Sequence, residues 1–211
     1  MNVIILKSQS TYRLVVPGDH FGKTPKNKLP VIELNGQVYS DTDRIVKLLK
    51  EHFTDIDADL SPLEQATSLA IIRMAEEHLY WIFVHFRWIE ENAVKSFASL
   101  IMPNSIFLRN VIFPFIRAQV RKSLWGHGLG RHTESDMLQF ARDDLKSLET
   151  LLGKDDFFFG KSKPHLVDIV VHSIISMALD TEEHVKSRAT EVVKEYKTLL
   201  AFRDRMNVLL K

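Results

Sequence analysis

The sequence of 211 residues contains no cysteine. This absence excludes disulfides, thiolate metal sites and a cysteine nucleophile, and it is compatible with a reducing compartment. An excess of one charge sign is also lacking, because 28 basic residues face 27 acidic ones, and nothing indicates a nucleic-acid partner. The apolar run near the start, Val3 to Leu6, is too short for a signal peptide or a membrane-spanning helix. We therefore expect a soluble, cytoplasmic protein.

The strongest apolar segment runs from Ser105 to Ile116. Arg109, Asn110 and Pro114 interrupt it, and it is shorter than the roughly 20 residues that a bilayer requires. The pattern predicts a pair of buried helices. Peripheral contact with a membrane is the alternative that the sequence leaves open but does not favour.

The region before residue 57 contains short β-rich runs, and its clearest pattern is a hairpin. Two apolar runs, Pro30 to Leu34 and Val38 to Tyr39, flank Asn35-Gly36, a dipeptide typical of tight hairpin turns. Asp41 or Thr42 is then expected to cap a helix that places Ile45, Leu48 and Leu49 on one face. Since a proline that opens a strand lacks an N–H group, the preceding Leu29 can offer its own backbone groups to a ligand.

Beyond residue 57, long segments with helical periodicity dominate. The turn from Asp55 to Pro62 is a candidate linker, and Glu64 stands at the capping-box spacing from Ser61. We predict an α/β domain at residues 1–56 and an all-helical domain at residues 62–211. Hydrophobic residues make up 45% of the sequence, which is enough to form a core in each domain. Thr133 and Asp136 form a second capping box for a helix that ends at Gly153. The other predicted helices include residues 62–93, 169–179 and 185–210.

The pattern at residues 25–32, Asn35-Gly36 and Ser40-Asp41-Thr42 resembles the second half of the thioredoxin-like domain of glutathione transferases. That resemblance implies that Pro30 is cis and that the Leu29 backbone pairs with the cysteinyl part of glutathione. It also implies that Asp41 and Thr42 hold the γ-glutamyl end, where a carboxylate and helix amides suit an α-amino acid head. Lys28 is a candidate for a carboxylate of the tripeptide. Glutathione is the cosubstrate that this resemblance implies.

The helical half of the sequence resembles a smaller group within this family. Several segments are similar to the failed-axon-connections and cadmium-responsive proteins and, more distantly, to the metaxins. They are the loop Gly126 to His132 and the segments 143–145, 151–153, 157–160 and 167–168. The resemblance implies a transferase fold more strongly than transferase chemistry. His165 stands where transferases usually have Ser or Thr, so we expect Asp168 to bond back to a backbone N–H in a structural role.

A glutathione-activating enzyme needs a hydroxyl or thiol near the sulfur. If Tyr12 to Val16 is the second strand of the unit, residues 1–11 cannot hold both a first strand and a first helix. We therefore predict an N-terminally shortened thioredoxin-like unit followed by an all-helical domain of the transferase type. The early hydroxyls are Ser8, Ser10 and Tyr12, and the sequence identifies none of them as the activating group.

No metal site is expected, because His78 and His85 are seven residues apart and lack an accompanying carboxylate-histidine cluster. Three functions stay open from the sequence. The first is a glutathione-dependent, detoxifying transferase, and the second is a non-catalytic scaffold that binds a small thiol or peptide ligand. The third is a membrane-associated component, which requires the Ile106 to Ile116 segment to be exposed. A homodimer is compatible with each.

Overall fold

The computed structural model describes residues 13–14, 30–34, 37–102, 105–180, 182 and 184–210. The chain divides into two compact units, one of residues 3–59 and the other of residues 60–211. In the described part of the chain, the first unit holds the β-strands and one helix, whereas the second holds helices alone.

The described residues of the first unit form a three-stranded sheet in the order β1 (Arg13–Leu14), β2 (Val31–Leu34) and β3 (Gln37–Ser40). Both neighbours pair with β2 in antiparallel fashion. The β2–β3 register runs from Val31 opposite Ser40 to Leu34 opposite Gln37, which confirms the predicted hairpin. The turn of this hairpin, Asn35-Gly36, lies outside the described residues. So does the segment 1–11, which was predicted to be too short for both a strand and a helix.

The helix after the hairpin, α1 (Thr42–His52), follows the predicted apolar face, since Ile45 is buried. Near its end, Lys50 Nζ lies 3.1 Å from Asp55 Oδ1 and 2.5 Å from Asp57 Oδ2. Burial lowers the pKa of Lys50, but hydrogen bonds with Asp57 and Asp55 outweigh it and hold this pKa above its ordinary value. The acidic turn expected as a linker is thus tied back to α1 by ion pairs.

The second unit begins with a continuous helical segment of three parts: α2 (Pro62–Met74), a π-helical turn (Ala75–Leu79) and α3 (Tyr80–Trp88). The predicted capping box is confirmed, because the Ser61 hydroxyl accepts from the Glu64 N–H and the Glu64 carboxylate accepts from the Ser61 N–H. The predicted end at Ala93 is wrong. Glu90 leaves the helix in an extended conformation (φ −56°, ψ 126°) with its side chain buried, and a new helix, α4 (Glu91–Ile101), follows.

The apolar segment 105–116 forms a π-helical turn (Leu108–Ile112) and the first turn of α5 (Phe113–His127). The prediction that it is buried is wrong. Phe113 is buried, and its ring stacks on Trp88 with centroids 5.5 Å apart, but Ile106, Phe107 and Phe115 are 65–69% exposed. The segment therefore contributes one side chain to the core described here and directs most of its apolar surface outward.

A short 3-10 turn (Leu129–Arg131) leads to α6 (Glu134–Leu152), which the Thr133–Asp136 capping box opens and Gly153 ends, as predicted. After a second 3-10 turn (Phe158–Gly160), α7 (Leu166–Leu179) crosses the core. The Asp168 carboxylate accepts from the N–H of His165 at 2.8 Å and of Phe158 at 2.9 Å. The predicted bond from Asp168 back to a backbone N–H is confirmed, and the second bond fastens the 157–160 segment to the helix.

The final helix predicted from Val185 to Leu210 is divided into α8 (Arg188–Lys194) and α9 (Lys197–Leu209). Two contacts with α6 hold the break. Arg142 bonds both carboxylate oxygens of Glu195, at 3.1 and 2.9 Å, and the Tyr196 hydroxyl donates to the Arg142 carbonyl at 2.9 Å. Across the described residues, none of the helices combines the length and the apolar character needed to cross a bilayer.

Candidate functional site

The first candidate site lies at one end of the β2–β3 hairpin. Because Val31 pairs with Ser40, the residues just outside this pair, Pro30 and Asp41, flank the same end of the ladder. Val31 and Ser40 are buried, Pro30 is half-buried, and Asp41 and Thr42 are exposed. The register therefore brings three of the predicted site residues to one end of the hairpin, and two of them are open to a ligand.

Asp41 has an unusual backbone at this end. It occupies the N-cap position of α1 with φ 90° and ψ 124°, and its carbonyl accepts the Ile45 N–H at 2.9 Å. Positive φ in a residue other than glycine is costly and often marks a functional position. The prediction that Asp41 or Thr42 caps this helix is confirmed for Asp41, which occupies the N-cap position, although its side chain makes no capping hydrogen bond to α1. Asp41 precedes the exposed Thr42 at the positive end of the helix.

A second polar cluster lies in the helical unit, where α3, α6 and α8 converge. The Glu90 carboxylate, 3% exposed, accepts from Arg188 Nε at 2.7 Å and from the Arg188 N–H at 3.2 Å. Arg188 also bonds Glu134, and His85 Nε2 lies 3.2 Å from Glu134 Oε1. Burial raises the pKa of Glu134, yet its hydrogen bonds with His85 and Arg188 hold the pKa below its usual value.

This cluster borders a polar cavity of about 440 Å³, which Arg117 and Arg121 also line. Arg117 donates to the carbonyls of Trp88 at 3.1 Å and Ile89 at 2.8 Å, and thereby caps the end of α3. Arg188 forms ion pairs with the carboxylates of both Glu90 and Glu134. The cluster therefore acts as an ion-pair network that joins three helices, rather than as an acid–base pair poised for proton transfer.

The glycine-rich loop at residues 126–132 packs against the first helices of this unit. His127 stacks on Trp81 with centroids 5.0 Å apart, and its Nε2 lies 2.8 Å from the Glu77 carbonyl oxygen. A Cβ at Gly130 would lie 2.9 Å from backbone atoms of α5, so only glycine fits there. The loop is held by packing and provides no phosphate cradle.

Neighbouring histidines also serve packing. His78 Nδ1 lies 2.7 Å from Asp144 Oδ2, and His132 meets Phe140 edge to face with centroids 5.1 Å apart. Burial raises the pKa of Asp144 and its bond with His78 opposes that effect, but the net shift is upward. No group of three His, Asp or Glu side chains in the described part of the chain could hold a metal ion.

Comparison with known proteins identifies the family of this chain. A model of the glutathione S-transferase N-terminal domain matches residues 8–93, and a model of the C-terminal domain matches residues 141–206. The isoprene-epoxide–glutathione S-transferase of Rhodococcus sp. (strain AD45) is 30% identical over 162 residues, which cover 74% of this chain and 68% of that protein. The chain belongs to the glutathione S-transferase family.

Two further relatives place it in the metaxin-like branch of this family. Failed axon connections of Drosophila melanogaster is 33% identical over 165 residues, 73% of this chain and 39% of that protein. Metaxin-2 of Homo sapiens is 24% identical over 188 residues, 87% of this chain and 70% of that protein. The chain thus spans well under half of the length of Failed axon connections. The predicted resemblance and the predicted fold, a thioredoxin-like α/β unit followed by a helical domain of the transferase type, are both confirmed.

Family membership does not by itself establish the predicted ligand contacts. Of the five predicted binding residues, Pro30, Asp41 and Thr42 are described, whereas Lys28 and Leu29 lie outside the described residues. The early hydroxyls at positions 8, 10 and 12 lie outside them as well. The contact of residue 29 with a ligand and the identity of an activating group therefore stay predictions.

Sequence reasoning missed the Glu90–Arg188–Glu134 network. Glu90 and Arg188 are 98 residues apart and belong to no motif. The one sequence signal is an acidic residue directly after the apolar run 79–89, where burial forces a carboxylate to find a cation. That signal predicts a partner but cannot say which of the 28 basic residues provides it.

Proposed function

We propose that this protein binds the γ-glutamyl end of glutathione at the start of α1, through Asp41 and Thr42. The observation that carries the proposal is the φ of 90° at Asp41. Such a conformation costs on the order of 1–3 kcal/mol in a residue other than glycine, and strain of this kind concentrates at ligand sites. An aspartate in this conformation supports a role for its carboxylate beyond capping the helix.

The chemistry of the position suits an α-amino acid head. The ligand's ammonium group would pair with the Asp41 carboxylate. The ligand's carboxylate would accept from the first N–H groups of α1 and from the Thr42 hydroxyl, at the positive end of the helix. Both residues are exposed, so a ligand can reach them without displacing a core side chain.

The rest of the tripeptide would extend along the end of the hairpin. Pro30 lies at the same end of the ladder as Asp41, which supports a path for the cysteinyl part past residues 29 and 30. We include in the proposal a backbone pairing between Leu29 and the cysteinyl group, and a contact between Lys28 and a ligand carboxylate. Both rest on membership of the transferase family.

Binding and conjugation are separate steps, and we propose binding as the function. Because the chain has no cysteine, a mixed disulfide with glutathione is excluded, and thiol activation would need a hydroxyl such as that of Ser8, Ser10 or Tyr12. The name of the Rhodococcus relative favours a small epoxide as the first electrophile to test. The second candidate function is a non-catalytic module that binds glutathione or a related γ-glutamyl peptide. We place either function in the cytoplasm.

Isothermal titration calorimetry with glutathione tests the site. Asp41→Asn removes the charge but keeps a residue that tolerates positive φ and the N-cap position. We expect it to weaken binding about tenfold or more, the loss of one charge-assisted bond. The matched control is Asp43→Asn, which removes an exposed carboxylate from the same turn of α1 and should leave binding unchanged.

Two results would contradict the proposal: no glutathione binding by folded protein, or equal weakening by the two variants. A conjugation assay with an epoxide then separates the two candidate functions. Turnover that Tyr12→Phe, Ser8→Ala or Ser10→Ala abolishes, with binding retained, would show an enzyme. Binding without turnover would favour the non-catalytic module.

A further inference from the structure

The helical segment that leads into α5, together with the first turn of α5, exposes an unusual amount of apolar surface. Six large apolar side chains within ten residues are 38–69% exposed, and we refer to them as the 106–115 face: Ile106, Phe107, Leu108, Val111, Ile112 and Phe115. Scattered exposed apolar residues are normal on a soluble protein, but a contiguous group of this size marks a contact surface.

The shape of the face favours a fluid partner over a helix. Residues 106 to 108 are consecutive in a helical segment, so their side chains extend over a wide part of its circumference. A partner helix needs a narrow stripe, with apolar residues at every third or fourth position. Leu108, Ile112 and Phe115 have this spacing, but the more exposed Ile106 and Phe107 widen the face beyond such a stripe. A wide apolar arc at a helix end instead suits immersion in the boundary region of a lipid layer.

The charge around the face indicates that the lipid is anionic. From Asn92 to Thr133 the sequence contains six Lys and Arg residues and no Asp or Glu, although the whole chain has a net charge of only +1. Arg121 and Lys122 are exposed on the same helix, and at a rise of about 1.5 Å per residue they follow Phe115 by roughly 10 Å. Glu90, Glu91 and Glu134 line the cavity that Arg121 also lines, but the helix itself carries only cations beside its exposed apolar side chains, a combination that matches a surface of acidic phospholipids.

The same charges disfavour a second copy of this chain as the occupant. A two-fold symmetric contact brings the same patch of both copies together. In a parallel contact through the 106–115 face, Arg121 and Lys122 of each copy approach the other pair, where like charges repel. In an antiparallel contact they approach the segment before residue 106, which has no Asp or Glu from residue 92 onward. An anionic bilayer neutralises them.

We propose that the 106–115 face docks this protein onto the surface of an anionic bilayer. Its apolar side chains enter the boundary between headgroups and acyl chains, while Arg121 and Lys122 contact the acidic headgroups. This binding site is independent of the proposed glutathione site, which lies in the other unit.

Sedimentation with lipid vesicles tests the proposal. We expect the protein to sediment with vesicles of phosphatidylcholine and phosphatidylserine, to bind pure phosphatidylcholine at least tenfold less, and to dissociate as salt is raised. Phe107→Ser with Phe115→Ser should reduce binding more than tenfold. Arg121→Glu with Lys122→Glu should do the same, because each cation near such a surface contributes about fivefold.

Two control variants change the same chemistry elsewhere on the unit. Leu63→Ser with Val208→Ser removes apolar side chains that are 77% and 72% exposed. Lys154→Glu with Lys197→Glu makes the same change of net charge at two exposed lysines. Both controls should bind vesicles as the unaltered protein does, and circular dichroism of all four variants should show an unchanged fold.

Three results would overturn the proposal. The first is folded protein that stays in solution with both kinds of vesicle. The second is binding that the control variants weaken as much as the test variants do. The third is a concentration-dependent dimer that Phe107→Ser with Phe115→Ser dissociates, without vesicle binding, which would assign the face to a second copy.

Discussion

Three glycines in the loop at residues 126–130 should respond in different ways to the same substitution, alanine. Gly126 is helical, and an added Cβ there would meet no atom within 4 Å. Alanine is favoured over glycine in helices by up to about 1 kcal/mol, and because this position is next to the helix end we expect a gain of about 0.5 kcal/mol. Gly126→Ala should therefore stabilise the protein slightly.

At the other two positions, alanine should destabilise the protein. Gly128 has φ 102°, where a Cβ costs about 1–2 kcal/mol of backbone strain. At Gly130 a Cβ would lie 2.9 Å from both the Leu124 carbonyl carbon and the Trp125 nitrogen. These atoms belong to the backbone of α5 and cannot rotate away, so we expect Gly130→Ala to cost about 2–3 kcal/mol, the upper part of the range for overpacking.

Urea and thermal unfolding, followed by circular dichroism, measure these differences. For a protein of this size 1 kcal/mol corresponds to about 2–4 °C, so Gly130→Ala should lower Tm by roughly 4 to 12 °C, and Gly126→Ala should raise it by roughly 1 to 2 °C. Gly126→Ala is the matched control, because it adds the same methyl group four residues away. A Gly130→Ala variant as stable as the unaltered protein would refute the close approach of the loop to α5.

Two further predictions concern buried carboxylates. Asp168→Ala leaves the N–H groups of His165 and Phe158 without their acceptor, and urea unfolding should show a loss of about 2–5 kcal/mol, larger than that of Asp143→Ala on the surface. Burial raises the pKa of Asp144 above its usual 3.8 despite the bond with His78, so its contribution to folding is fully present below that value and declines as pH rises through the raised pKa. The stability of the unaltered protein relative to Asp144→Asn should thus fall as the pH rises from below 3.8 through the raised pKa of Asp144. A rise over the same range would mean that pairing with His78 outweighs burial.

Local signals predicted much of the fold. The hairpin follows from two apolar runs around Asn35-Gly36, and the starts of α2 and α6 follow from capping boxes whose partners are three residues apart. Such features involve only neighbouring residues, so the sequence contains all that is needed to predict them. The register of the hairpin also determined that residues 30 and 41 share one end.

Features that depend on distant residues could not be predicted. The helix ends near Glu90, whose carboxylate meets Arg188, and the break before α9 lies where Glu195 and Tyr196 contact α6. Periodicity indicates that a face is apolar but not whether another element covers it, which is why the exposure of residues 106–115 was missed. The positive φ at Asp41 was missed for a similar reason, since aspartate before a helix ordinarily adopts an extended conformation and caps it.

The ion pair between Glu90 and Arg188 has a consequence for synthesis of the chain. The 98 residues between them take a ribosome roughly 5 to 20 s to add. During that interval Glu90 lacks the Arg188 cation that pairs with it in the folded protein. Because burying an unpaired carboxylate is costly, the end of α3 stays in water. The nascent helical unit can therefore close around this corner only after α8 has emerged.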